Sequence, residues 1–297
     1  MDTLDLSGTG VALVTPFKNS AIDFDALTSL IDKVIGGGVE YIVSLGTTGE
    51  ATSLNDDEQR AVIKHTVEIV KGRVPIIAGH FGGNNTAQLC EKLCAFENTG
   101  ISAILSSSPA YVKPTQEGIY RHYMALDEAS PLPMIIYNVP SRTASNISAT
   151  TLLRLANASK KFIGVKDASA DLHQAAAIAR YVPSHFTLLS GDDPTALSCI
   201  ANGGKGVISV IANAYPESFS TMIRNALAGE WGKARHLHYR LLDLHHWLYI
   251  EGNPVGIKEA LAYKGWCRSE LRLPLVEMSE VNRKKLHEAM DAVKGMN

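Results

Sequence analysis

Short, unbroken apolar runs recur along the chain, each followed by a longer stretch with a different rhythm. The runs are Val11–Val14, Tyr41–Leu45, Val74–Ala78, Ile101–Ser106, Met134–Tyr137, Phe162–Val165, Phe186–Leu189 and Gly206–Val210. Apolar residues without polar alternation mark strands buried on both faces. Between them lie segments such as Asp25–Ile35, Asp56–Val70 and Thr86–Asn98, whose apolar residues fall at intervals of three and four, the spacing of an amphipathic helix. Asn55 ahead of Asp56, Asp57 and Glu58 reads as an N-cap followed by acids that complement the helix dipole, and Asp25 and Thr86 read as comparable starts.

Strand followed by helix, eight times over, predicts parallel βαβ units. A closed (β/α)8 TIM barrel of the α/β class fits better than an open sheet. A nucleotide-binding open sheet carries a glycine-rich turn after its first strand, whereas here the chain runs into Thr15-Pro16-Phe17. The Gly36-Gly37-Gly38 and Gly203-Gly204-Lys205-Gly206 runs fit turns into the second and eighth strands. Helical pattern beyond residue 215 exceeds one closing helix, so extra C-terminal helices are expected, with the barrel over 1–225 and a helical extension packed on it over 226–297.

Composition narrows the function. The 297 residues are 45% hydrophobic and 20% charged with net charge −2, enough for one large core and without the basic surface that nucleic acid requires. A length prior of about 150 residues per domain would suggest two domains, but α/β barrels run to about 250 as one. The start of the chain shows neither a basic n-region nor an apolar h-region, and no apolar run approaches the roughly 18–20 residues that span a bilayer. A cytoplasmic protein that engages no membrane is expected. Cys90 and Cys94, four apart on one helix face, lack two further ligands at zinc spacing; with Cys199 and Cys267 they are expected to be buried free thiols. His236, His238, His245 and His246 do not place three ligands on one face, and Asp193-Pro194 reads as a helix start rather than a cation site.

In a TIM barrel the chemistry sits where strands end. Those ends hold Thr47, Thr48 and Glu50, then Tyr111, Tyr137 and Arg142, then Lys166 and Gly191. Lys166 directly continues an apolar strand. Burial disfavours a lysine's ammonium form, and the neutral amine is the form that attacks a ketone. The competing reading pairs Lys166 with Asp167 in a structural network. Tyr137 on the preceding strand reads either as a proton shuttle for imine formation or as an ordinary core tyrosine. Thr47 and Thr48 between glycines offer hydroxyls and N–H groups to a carboxylate, or simply form a turn. Arg142 offers a bidentate fork for a second carboxylate, or a surface salt bridge. Glu50 is expected to satisfy local backbone groups.

The runs GTTGE at 46–50, YNVPSRT at 137–143, GVKDAS at 164–169, LLSGDD at 188–193 and GVISVIAN at 206–213 resemble the dihydrodipicolinate synthase and N-acetylneuraminate lyase superfamily, in order and at matching strand ends. Within it the chain is most similar to the dihydrodipicolinate synthases, which condense pyruvate with L-aspartate 4-semialdehyde in the diaminopimelate and lysine pathway. The resemblance implies a Schiff base between Lys166 and pyruvate, with no further cofactor and no metal. It implies a proton relay of Tyr137, Thr47 and Tyr111, the last supplied across a subunit contact. Thr48 would hold the pyruvate carboxylate, Arg142 that of the semialdehyde, and Gly191 and Ile208 would lend backbone groups around the lysine. A homotetramer built from tight dimers is implied too. Thr47 and Arg142 favour the synthases over lyases of sialic or 2-keto-3-deoxy sugar acids; a catalytically silent barrel that binds a keto acid is the reading from another class. Ala110 replaces the first tyrosine of a frequent pair, and Asp56, Gln59 and Gln88 stand where lysine-inhibited members carry histidines and a glutamate. Weak or absent feedback by lysine is therefore expected.

Overall fold

The computed structural model describes residues 4–294. Eight parallel strands close into a barrel: β1 Gly8–Ala12, β2 Tyr41–Ser44, β3 Ile76–Gly82, β4 Ala103–Ser107, β5 Met134–Asn138, β6 Phe162–Asp167, β7 Thr187–Ser190 and β8 Gly206–Ser209, which pairs back onto β1. Helices α1 Phe24–Gly36, α2 Asp56–Val70, α3 Thr86–Cys94, α4 Gln116–Ala129, α5 Ala149–Ala158, α6 Leu172–Tyr181, α7 Ala196–Ala201 and α8 Pro216–Leu227 alternate with the strands. Three more follow: α9 Trp231–Tyr249, α10 Val255–Tyr263 and α11 Glu280–Lys294. This is the (β/α)8 barrel with added C-terminal helices. No helix among the described residues is long and apolar enough to cross a membrane.

The apolar residues of the strands divide by face. One face joins the helices in a cluster containing Val11, Ile42, Ile76, Ile104, Met134, Val165 and Val207. The other fills the barrel with Ala12, Tyr41, Val43, Ile77, Leu105, Ile135, Tyr137, Leu189 and Ile208. A barrel of this size leaves an interior that side chains just fill. Gly10 shows how tightly: a Cβ there would lie 2.0 Å from the Tyr41 ring, so only glycine admits the tyrosine.

Local signals set the helix boundaries. Asn55 caps α2, as expected, and Glu58 reaches back to complete a reciprocal capping box. The first helix is capped two residues earlier than expected, by Asp23 rather than Asp25, and Asn85 rather than Thr86 caps α3, which ends at Cys94. Asp193 does not start a helix; α7 begins at Ala196. Between β1 and α1 a small antiparallel hairpin pairs Phe17–Lys18 with Ala21–Ile22. Cys94 is exposed and Cys90 and Cys267 are half-buried, against the expectation of buried thiols, which only Cys199 meets; desolvation pushes the Cys199 and Cys267 thiols up to about 12.

Candidate active site

The mouth of the barrel gathers the candidate residues at the C-terminal ends of its strands. Lys166 lies near the end of β6, 5% exposed, paired laterally with Tyr137 on β5 and Leu189 on β7. Simple alternation from Phe162 would turn Lys166 outward, toward the helices. Phe162 and Val165, three apart, both pack under the helices, whereas Ile163 fills the interior. The register with β5 slips at this point, matching Met134 to Phe162 but Ile135 to Gly164. This bulge inserts one residue and brings Gly164 and Lys166 onto the interior face, opposite Ile135 and Tyr137. The interior there admits no side chain at residue 164: a Cβ would lie 2.6 Å from the Thr187 carbonyl oxygen.

Lys166 Nζ stands 4.4 Å from the centroid of the Tyr137 ring. Asp167, the carboxylate that could have claimed it, accepts instead from Asn138 Nδ2 at 2.9 Å, from the Ser169 backbone N–H and hydroxyl, each at 3.1 Å, and from Gln174 Nε2 at 3.2 Å. No carboxylate among the described residues forms an ion pair with Lys166. Gly191 packs against the lysine stem, since a Cβ there would come within 3.0 Å of Lys166 Cγ. Ile208 is 1% exposed in the same interior.

A one-turn 3-10 helix over Thr47–Gly49 follows β2. Gly49 and Glu50 donate the turn's own bonds to Gly46 and Thr47, which leaves the N–H groups of Thr47 and Thr48 outside them. Thr48 is 2% exposed, and its Oγ1 accepts from Asn253 Nδ2 at 2.9 Å. Arg142 lies in the short helix Pro140–Thr143 after β5, exposed, and makes no salt bridge among the described residues; its guanidinium donates to the Asn253 carbonyl at 3.2 Å. Thr48 and Arg142, two candidate anion holders, thus meet at one residue of the C-terminal segment. Tyr111 is different. Its ring is 88% exposed, on a backbone with φ of 69°, and it is not packed into this chain's own barrel mouth.

Glu50 corrects the expectation of local contacts. Its carboxylate is 2.5 Å from Lys258 Nζ and accepts from the Arg272 backbone N–H at 3.2 Å, both more than 200 residues away. Both side chains of the ion pair are buried, and Lys258 also donates to the Glu270 carbonyl. Burial pulls the Lys258 pKa below its ordinary value, with the Glu50 carboxylate working the other way. Asp193 serves the rim: its Oδ2 accepts from the backbone N–H groups of Val210 and Ile211, at 2.9 and 2.8 Å, and from the Tyr249 hydroxyl at 3.1 Å. Asn253, Lys258 and Tyr249 escaped the sequence reading because they lie in the C-terminal segment, Tyr249 and Lys258 on α9 and α10 and Asn253 in the turn between them, far along the chain from any strand end. Nothing local in their sequence marks them.

The sequence profile of the dihydrodipicolinate synthetase family matches residues 5–293. The chain belongs to that family. A 4-hydroxy-tetrahydrodipicolinate synthase from Flavobacterium psychrophilum is 47% identical over 274 residues, covering 92% of this chain and 93% of the relative. One from Porphyromonas gingivalis is 47% identical over 282 residues, covering 94% and 95%. Among solved structures, a chloride-inhibited dihydrodipicolinate synthase from Acinetobacter baumannii in complex with pyruvate is 38% identical, with a TM-score of 0.94 over 98% of this chain and 99% of the other. Family members at this similarity share the barrel, so the strand ends described above are the place where the dihydrodipicolinate synthetase chemistry is to be sought.

Proposed function

We propose that this chain is a 4-hydroxy-tetrahydrodipicolinate synthase that joins pyruvate to L-aspartate 4-semialdehyde through an imine on Lys166. The observation that carries the reading is a buried lysine with no carboxylate partner among the described residues, turned into the barrel mouth beside a tyrosine. The Lys166 amine attacks C2 of pyruvate, and the carbinolamine loses its oxygen as water. Tyr137, with Thr47 and with Tyr111 contributed by a second subunit, carries the protons. The protonated imine withdraws electrons from the adjacent C–H, so C3 gives up a proton and becomes an enamine. That carbon adds to the aldehyde of the semialdehyde. The product's amino group then attacks C2 and displaces Lys166, closing the ring and freeing the enzyme.

The positions of the remaining groups support this division of labour. The Thr48 hydroxyl and the N–H groups of the 47–49 turn suit the pyruvate carboxylate, while Arg142 suits the semialdehyde's. Gly191, packed against the lysine stem, and Ile208 in the same interior would lend backbone groups around the lysine. The exposed Tyr111 suits a tight dimer in which each subunit completes its neighbour's relay, two such dimers making a homotetramer. The covalent imine supplies the electron sink, so the reading uses no cofactor and no metal. Four free thiols accord with a reducing compartment, the cytoplasm. The barrel over 1–225 carries the reacting groups, and the extension over 226–297 supports them.

Reduction with borohydride in the presence of pyruvate tests the assignment. A mass adduct mapping to Lys166 is expected. An intact protein without adduct, or an adduct confined to another lysine, would overturn it, and following pyruvate consumption with the semialdehyde separates synthase from lyase.

A further inference from the structure

The carboxylate-binding role given to Thr48 raises a question of direction. A threonine hydroxyl has one hydrogen and two lone pairs, and it can hold an anion only if that hydrogen points at it. Left to rotate, the hydroxyl would find several partners, most of them unproductive. In this structure one lone pair is already engaged: Asn253 Nδ2 donates to Thr48 Oγ1 at 2.9 Å, from 205 residues along the chain. Asn253 is itself 9% exposed and Thr48 2% exposed, so water competes little for either. An acceptor satisfied by an amide N–H has no reason to turn its own hydrogen toward that amide. The hydrogen is thereby left for the site.

We propose that Asn253 is a positioning residue for pyruvate: its side-chain amide fixes the Thr48 hydroxyl as a donor toward the keto-acid carboxylate, while its backbone carbonyl separately steadies Arg142. The inference rests on the synthase reading above and adds to it a residue outside the barrel strands. The two contacts come from different parts of one residue. The carbonyl that receives the Arg142 guanidinium at 3.2 Å belongs to the main chain and survives any side-chain change. Substitution of the Asn253 side chain should therefore act on pyruvate and spare the second substrate. A merely structural residue would disturb both, or neither.

The test reads half-saturation by pyruvate from borohydride trapping on Lys166, and the KM of each substrate in turnover, for wild type, Asn253→Ala, Asn253→Asp, Thr48→Val and the Thr48→Val/Asn253→Ala double variant. Loss of one neutral hydrogen bond corresponds to a rise of about threefold to tenfold in pyruvate half-saturation for Asn253→Ala. Asn253→Asp should be worse, on the order of a hundredfold, because a carboxylate accepts the Thr48 hydrogen for itself and repels the substrate's charge. In the Thr48→Val background, Asn253→Ala should add less than about twofold, since the group it directs is gone. The KM for the semialdehyde should stay within about twofold of wild type in Asn253→Ala. An unchanged pyruvate half-saturation in Asn253→Ala, an Asp variant no worse than Ala, or full additivity with Thr48→Val overturns the proposal while wild-type trapping still stands. Wild type that fails to trap at Lys166 overturns the synthase reading and this inference with it.

Discussion

Replacing Lys258 by methionine should destabilise this protein more than any surface ion-pair change. The Lys258 ammonium and the Glu50 carboxylate stand 2.5 Å apart with side chains 0% and 2% exposed. At that distance the gross attraction is about 7 kcal/mol with an effective dielectric of 20. Removing each ion from water costs several kcal/mol, so the intact pair contributes little net. Breaking it is another matter. Lys258→Met leaves Glu50 buried with the Arg272 N–H at 3.2 Å as its remaining donor among the described residues, and a stranded charge of this kind costs about 3–5 kcal/mol. For a chain of this length that corresponds to about 6–10 °C in melting temperature, taking about 2 °C per kcal/mol. Urea and thermal unfolding at fixed protein concentration measure it, the concentration being held because assembly shifts apparent stability. Glu50→Gln combined with Lys258→Met removes both charges and keeps an acceptor for Arg272, so it should recover at least half of the loss. A single variant within about 1 kcal/mol of wild type, or a double variant no better than the single, would refute the reasoning.

Two further outcomes can be stated. Burial lowers the His122 pKa from 6.5 to about 4, so the unfolded chain binds a proton there that the folded chain does not; stability is whole above pH 6.5, falls as pH drops, and stops falling below about 4. Those values give about 2 kcal/mol lost at pH 5, and His122→Gln should flatten the slope in a pH series of urea melts; an unaltered slope would rule His122 out as its source. L-lysine should inhibit weakly, at millimolar concentration, or not at all, because Gln59 is occupied from within: it accepts from Lys92 Nζ at 2.9 Å and donates to the Ala51 and Leu54 carbonyls. Inhibition at micromolar lysine would contradict that expectation.

The barrel was legible because strands buried on both faces leave unbroken apolar runs, and every expected run overlaps a strand. The hairpin at Phe17–Ile22 was not, since two-residue strands are too short to show a period. Lys166 is the instructive case. Its place at a strand end was readable, but its side was not: alternation alone points it outward, and only the bulge at Ile163 turns it in. A bulge depends on how two strands pair, which a single strand's sequence does not encode. Glu50 carries the same lesson. A carboxylate after a glycine-bounded turn looks like a local cap until the fold brings Lys258 to it from the far end of the chain.

The loop after β2 depends on the C-terminal segment for its shape. Thr47 and Thr48 sit on a turn of three residues, and a turn that short has too few internal bonds to hold a hydroxyl to a fraction of an ångström. Its rigidity comes from outside, at three points along the same stretch. Asn253 bonds Thr48, Lys258 pairs with Glu50, and Arg272 grips both carboxylate oxygens of Glu58 while donating to the Ser53 carbonyl. Arg272 also donates to the Ser20 carbonyl in the hairpin after β1, which ties a second rim loop to the same anchor. The carboxylate cradle proposed above would thus be built by the barrel and aligned by residues 253–272. A change in those residues that left the barrel strands untouched would still reach the chemistry, through the direction of one hydroxyl and the seat of one guanidinium.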